Sequence, residues 1–281
     1  MKCAWQELLN ILPLWLKKDV DRLGRDDLQE LRLRLDQPAE LVTNRGVIHL
    51  TRKICREDLQ YCINIASDYS PWTAGTSAHG YITALGGHRI GICGDAIVYE
   101  GQMKGVRKIS SLCIRIARDI QSFTGCTEAL TGSVLIIGKP GSGKTTLLRD
   151  LIRTRSDSGQ HITVIDEREE LFPRTKSGFG FTPGTCTDVL SGCPKCLGME
   201  AALRSMSPDV IAVDEITAAE DCLSMLHVAW CGVSLLATAH AGSKHELYSR
   251  PVYRPILDAK IFSNLIILNA DKSWITERIE P

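Results

Sequence analysis

The chain has 281 residues, 44% of them hydrophobic, enough for one large domain or two of ordinary size. Lys and Arg total 33 and Asp and Glu total 33, so the formal net charge is zero, which argues against nucleic acid as a partner held by bulk charge and leaves room only for a local basic strip. No apolar run reaches the about 18–20 residues of a membrane span, and the opening MKCAWQELLNILPLWL carries Glu7, Asn10 and Pro13 without a signal-peptide cleavage pattern.

The first half, to about residue 118, reads as a mixture of helices and strands. LQELRLRL (28–35) has an apolar pattern compatible with a helix or a strand, with Arg32 and Arg34 interleaved. PAELV and GVIHL form a predicted hairpin about Thr43-Asn44-Arg45-Gly46. REDLQYCINIASDYS (56–70) has the spacing of an amphipathic helix. Residues 80–109 read as strand, turn and strand, with Gly86-Gly87 and Glu100-Gly101 at the turns. IRIAR (114–118) alternates apolar and Arg positions, and DIQSFTGCTEALTG is the predicted connector.

The second half alternates strands and helices. SVLIIG, HITVID, DVIAVDE, VSLLATAH and SNLIILN are short β-branched apolar runs. Between them TTLLRDLIRT, GMEAALRSM and AAEDCLSMLHVAWCG have helical spacing. Such alternation predicts a mostly parallel sheet with helices on both faces, so ligands belong beyond the carboxyl ends of the strands. The predicted division is an α+β domain over 1–125 and an α/β domain over 126–281.

GKPGSGKTT (138–146) fits the P-loop template fully, between an apolar strand and a helix. Gly138, Gly141 and Gly143 allow a tight turn that brings bare N–H groups against phosphate oxygens. Lys139, Pro140, Ser142 and Thr146 complete the cradle. Lys144 supplies a positive charge for the β and γ phosphates, and the Thr145 hydroxyl suits Mg²⁺. The helix that follows points its positive dipole end at the phosphates.

Three strand ends carry polar groups. DVIAVDEI is Walker-B-like: Asp214 suits the Mg²⁺ shell and Glu215 suits positioning or deprotonating a water. HITVID runs into Asp166-Glu167-Arg168-Glu169-Glu170, where at least one carboxylate is expected to face the nucleotide. Glu170 and Glu215 are rival candidates for the base. SLLATAH ends with Thr238 and His240, the latter placed to sense a γ-phosphate.

The order of Walker A, acidic box, LRSMSPDVIAVDEI and TAH resembles the type II and type IV secretion ATPases. Over nearly the whole chain, ELRLRLDQPAEL, GGHRIGICGDAIV, IDEREE, TDVLSGCPKCLGME and ATAHAG resemble the stage III sporulation protein AA family of endospore-forming bacteria. That resemblance implies a RecA-like P-loop ATPase domain preceded by a smaller α+β domain, using ATP and Mg²⁺. It implies a homo-oligomer, a hexameric ring in the mother-cell cytoplasm. The ring would be peripheral at the membrane and serve a membrane protein of the mother cell–forespore channel complex. By resemblance, Lys144 and Thr145 are the Walker A pair, Glu170 the acidic-box glutamate, Asp214 and Glu215 Walker B, and His240 the His box. In secretion ATPases an arginine of the amino-terminal domain acts across a subunit interface. Arg89, Arg107 and Arg115 lie in the matching segment.

Two other readings share the core: a nucleic-acid-dependent RecA-like ATPase, and a nucleotide-gated scaffold with slow turnover. The 6% aromatic content argues against the first. The eleven cysteines read as buried free thiols, Cys93 and Cys231 among them because they sit in apolar runs. Cys193-Pro-Lys-Cys196 reads as an ordinary loop, a single CxxC being weak grounds for structural zinc.

Overall fold

The structure is a computed structural model that describes residues 3–68, 80–120, 130–269 and 271–279. The predicted helix end at 69–70 and most of the predicted connector lie outside the described residues. The chain forms two units. The first comprises 1–119 with 173–181, the second 120–172 with 182–281.

The first unit holds a six-stranded antiparallel sheet. Its strands are β1 (Leu28–Arg34), β2 (Pro38–Thr43), β3 (Gly46–Lys53), β4 (Tyr81–Thr83), β5 (Arg89–Tyr99) and β6 (Gln102–Arg115). They lie in the order β3-β2-β1-β6-β5-β4. LQELRLR is a strand because a bulge between Leu28 and Glu30 turns Leu28, Leu31 and Leu33 all inward. Without it, strict alternation would put Leu28 on the face opposite the other two. The helices α1 (Trp5–Ile11), α2 (Leu14–Leu23) and α3 (Arg56–Ala66) bury Leu8, Leu16 and Leu59 against those leucines and Ile90 and Ile114.

His88 ties this unit together from inside. Its ring is fully buried. Nδ1 accepts the Ala117 N–H at 3.3 Å, and Nε2 lies 3.0 Å from the Ala4 carbonyl at the start of α1. A ring that accepts at Nδ1 and donates at Nε2 is neutral. Burial lowers its pKa below the ordinary 6.5, with the Ala4 carbonyl pulling the other way. A group whose folded pKa is depressed contributes stability above its unfolded pKa, and that stability is lost as pH falls through the folded value. The first unit is therefore expected to weaken from about pH 6.5 downward, an effect that His88→Gln should flatten. Urea midpoints measured between pH 8 and pH 5 check this.

The second unit holds a seven-stranded sheet of β7 (Val134–Gly138), β8 (Ile162–Asp166), β11 (Thr187–Ser191), β12 (Val210–Val213), β13 (Ser234–His240), β14 (Asn264–Leu268) and β15 (Trp274–Arg278). The order is β11-β8-β12-β13-β7-β14-β15, and every pair is parallel except β14–β15. The helix α4 (Lys144–Asp157) covers one face with Leu147, Leu148, Leu151 and Ile152. The alternate strand residues Leu135, Ile137, Ile211, Val213, Leu235 and Ala237 form a separate core under α5 (Lys195–Ser205), α6 (Ala219–Trp230) and α8 (Arg254–Asp258). A short α7 (Lys244–Ser249) follows β13.

The sequence reading named none of α1, α2, α7 and α8, and among the strands three features escaped it. The edge strand β15 is largely exposed and β11 has no buried residue, so neither shows an apolar run. The third is the hairpin β9 (Arg174–Thr175) and β10 (Gly178–Phe179). A contiguous division at 125/126 assigns residues 173–181 to the second half, whereas their contacts are with the first unit. Phe181 is buried, and Pro173 packs on Gly87 so closely that a Cβ at Gly87 would lie 2.7 Å from its ring. Gly87 also has φ of +80°, so both space and backbone demand glycine.

The cysteine expectation needs correcting. Cys93 and Cys231 are exposed, Cys93 on the outward face of β5 and Cys231 just past the end of α6. Among the described cysteines only Cys62 and Cys222 are buried, and burial pushes their pKa values up to about 12 and about 11, which makes them inert thiols.

Candidate active site

The loop between β7 and α4 is shaped by its glycines. Gly141 and Gly143 have φ of +76° and +105°, the left-handed region. A Cβ on Gly138 would lie 2.4 Å from Ser142 Oγ. Ser142 is 3% exposed, and its hydroxyl has no partner among the described residues. A buried orphan hydroxyl beside the N-terminus of a 14-residue helix fits an anionic ligand that would satisfy it. Lys139, Pro140 and Gly141 are exposed, and Gly143, Thr145 and Thr146 are half-buried.

Strand register brings the other groups to this loop. His240 is the partner of Gly138 across β13–β7, and Val213 is level with Ala237 across β12–β13. The residues that follow β12 therefore emerge beside Thr238. Thr238 Oγ1 donates to Asp214 Oδ1 at 2.5 Å and accepts the Glu215 N–H at 2.8 Å. Asp214 Oδ2 accepts from Thr145 Oγ1 at 2.8 Å. These two oxygens are hard donors of the kind Mg²⁺ prefers.

Lys144 lies at the centre. Its ammonium donates to the carbonyls of Gly138 (2.9 Å) and Lys139 (3.1 Å) and sits 3.1 Å from His240 Nδ1. Burial lowers its pKa below that of an ordinary lysine, while Asp214 and Glu215 raise it. His240 Nε2 is 3.2 Å from Glu215 Oε1, and Arg168 Nη1 donates to Glu215 Oε2. Glu215 has φ of +55°, a conformation uncommon for a non-glycine residue. Lys272, in the turn between β14 and β15, donates to the Gly141 carbonyl at 2.7 Å.

The acidic run after β8 divides into separate roles. Asp166 is 3% exposed, and its carboxylate accepts the N–H groups of Glu170, Leu171 and Phe172 at 2.9, 3.0 and 2.9 Å. It builds the turn. Glu167 pairs with Lys195, a 4% exposed lysine that also lies 4.0 Å from Asp221. Arg149 of α4 donates to the carbonyls of Leu171 and Glu170, so the P-loop helix also grips this turn. Glu170 lines one small pocket with Asp166, Glu167, Arg168, Lys195, Asp214 and Glu215.

The structure thus brings Lys144, Thr145, Glu170, Asp214, Glu215 and His240 to one sheet end. Arg89 and Arg115 belong to the first unit, paired with each other across β5–β6. The Arg89 guanidinium lies 3.8 Å from the Tyr81 ring centroid, and Arg115 Nε is 3.4 Å from Glu30. Arg107 faces Asp95 in register. The sequence reading missed Arg149, Lys195 and Lys272. Arg149 and Lys195 are basic residues in runs read for something else, the leucine stripe of α4 and the CPKC pair, and Lys272 lies beyond the last run that was read. Cys193 and Cys196 flank Lys195, and no group of three or more His, Cys, Asp or Glu among the described residues could hold a metal ion.

Comparison with known proteins shows the family and the fold. The family described as "Sporulation stage III, protein AA" matches residues 4–277. The chain belongs to that family. It is 33% identical to Stage III sporulation protein AA of Bacillus subtilis (strain 168), over 95% of this chain and 91% of that protein. It is 27% identical to the uncharacterized protein ycf45 of Porphyra purpurea, over 90% of this chain but 43% of that protein. Among solved structures, the Legionella pneumophila ATPase DotB superposes with a TM-score of 0.61 at 17% identity, covering 95% of this chain and 80% of its own. The pilus retraction motor PilT with bound ADP gives 0.62 at 17% identity, covering 90% and 76%. The family member described here therefore has the α/β fold of these ATPases. No helix among its described residues is long and apolar enough to cross a membrane.

Proposed function

We propose that this family member is a Mg²⁺-dependent ATPase with a RecA-like core, acting as a ring in the sporulating mother cell. The observation that carries this is the hydrogen bond from Thr145 of the P-loop to Asp214 at the end of β12, with Lys144, His240 and Glu215 joined beside it. A loop with an orphan buried hydroxyl and left-handed glycines suits phosphate. Thr145 and Asp214 would hold Mg²⁺, which supplies charge neutralisation on the β and γ phosphates.

The residues divide the work. Lys144 moves from the loop carbonyls to the phosphates. Glu215 orients the attacking water and accepts its proton, with Glu170 in the same pocket as the second carboxylate. His240 bridges Lys144 and Glu215 and so senses occupancy at the γ position. Arg89 or Arg115 of a neighbouring copy supplies positive charge to the transition state. A hexamer uses this arrangement, because each site is completed by the next subunit. The ring would sit peripherally at the membrane under a protein of the mother cell–forespore channel complex, a role resting on family membership.

ATP hydrolysis measured against protein concentration, with molar mass by light scattering, tests the proposal. Specific activity should rise with a ring-sized species, and Glu215→Gln should lower turnover by about 10²-fold while still binding nucleotide. Flat activity from a monomer that never assembles would count against the shared site.

A further inference from the structure

The sequence resemblance gives Arg168 no role, yet it touches the residue on which the proposed chemistry depends. Its Nη1 donates to Glu215 Oε2 while His240 Nε2 lies against Oε1. Both carboxylate oxygens of Glu215 therefore have a partner. The backbone of Glu215 is held as well, by the bond from its N–H to Thr238 and in a left-handed conformation. Arg168 sits in a braced turn. Its turn is fixed by Asp166 through three N–H groups, by Lys195 through Glu167 and by Arg149 through two carbonyls. The result is a continuous chain from the P-loop to the acidic turn: Lys144, His240, Glu215, Arg168.

We propose that Arg168 is a latch, a positioning residue that holds Glu215 away from the attacking water until a nucleotide with a terminal phosphate draws Lys144 and His240 out of the chain. This inference rests on the ATPase reading and adds its regulation. A carboxylate gripped by a guanidinium on one oxygen and an imidazole on the other is a poor acceptor for a water proton. When the phosphates take Lys144 and the terminal one draws His240 off Oε1, Glu215 is left with Arg168 alone. Releasing that pair then costs part of the binding energy of ATP but none of the binding energy of ADP, which lacks the terminal phosphate. The sites would stay quiet when empty or ADP-loaded. Arg168 and Glu215 are 39% and 26% exposed, so the pair is of a strength that ATP can break.

The test uses the full chain with Arg168→Gln and Arg168→Lys, reading kcat together with the Kd of ADP and of the slowly hydrolysed analogue ATPγS, both with Mg²⁺. The latch requires Arg168→Gln to raise basal kcat and tighten ATPγS by about fivefold each, leaving ADP binding unchanged, with Arg168→Lys in between. A fall in kcat, no change, or equal shifts for both nucleotides would overturn it. Glu215→Gln supplies a second arm that needs no turnover. It should tighten ATPγS to the same extent, and combining it with Arg168→Gln should add nothing; additive effects would also overturn the latch. A wild type that binds neither nucleotide is a different failure, that of the ATPase reading itself.

Discussion

Lys144→Ala is expected to lower ATP turnover by at least about 10²–10³-fold, the loss typical of removing one aimed charge from a developing transition state. The ammonium has three donors, and in the structure they meet the two loop carbonyls and His240. The lysine thereby props the loop from inside. Its removal has two consequences. The phosphates lose their charge partner, and the carbonyls of Gly138 and Lys139 lose their donor. Because Lys144 is 6% exposed, alanine leaves a small polar gap that water can fill. The variant should stay folded, with nucleotide affinity reduced as well as turnover. Phosphate release and ADP calorimetry on the same preparation separate the two effects. Normal hydrolysis by Lys144→Ala would show that the chemistry is elsewhere.

The second large effect is structural. Asp166→Ala should destabilise the second unit by about 3 kcal/mol, because three N–H groups, two of them buried, lose their acceptor and each unsatisfied buried donor costs about 1–3 kcal/mol before water relieves it. Asp166→Asn should cost clearly less. Burial raises the Asp166 pKa and the three N–H groups of Phe172, Leu171 and Glu170 only partly oppose it. A neutral amide keeps one acceptor oxygen, enough for the Leu171 and Phe172 N–H groups that share Oδ2, and loses only the acceptor of Glu170. Urea midpoints of the two variants give the comparison. Equal losses would mean that the charge matters more than the acceptors.

Asp166 also shows where the sequence stops being legible. IDEREE reads as five charged residues at a strand end, and strand-end acids in such a sheet are reasonable ligand candidates. Which of them face the ligand depends on the turn, and no periodicity encodes that. The P-loop was readable because its glycines answer a local demand of φ and space. The central strands were readable because both their faces are buried and the residues are apolar throughout. The edge strands β11 and β15 are not, because an exposed edge needs no apolar run. Arg149, Arg168 and Lys195 escaped for a common reason. A basic residue is usually solvated, and only the folded chain shows that these three converge on one turn.

The nine residues from Pro173 to Phe181 make the halves of this chain inseparable as pieces. A fragment ending at residue 119 would contain every strand of the six-stranded sheet, yet lack Phe181, the proline against Gly87, and the Lys176 N–H that bonds to Glu7 at 3.3 Å. A fragment beginning after it would carry those nine residues with nothing of their own to bury. Such a chain cannot be shuffled between proteins by recombination at the apparent linker, since the exchange would sever the first unit from part of itself.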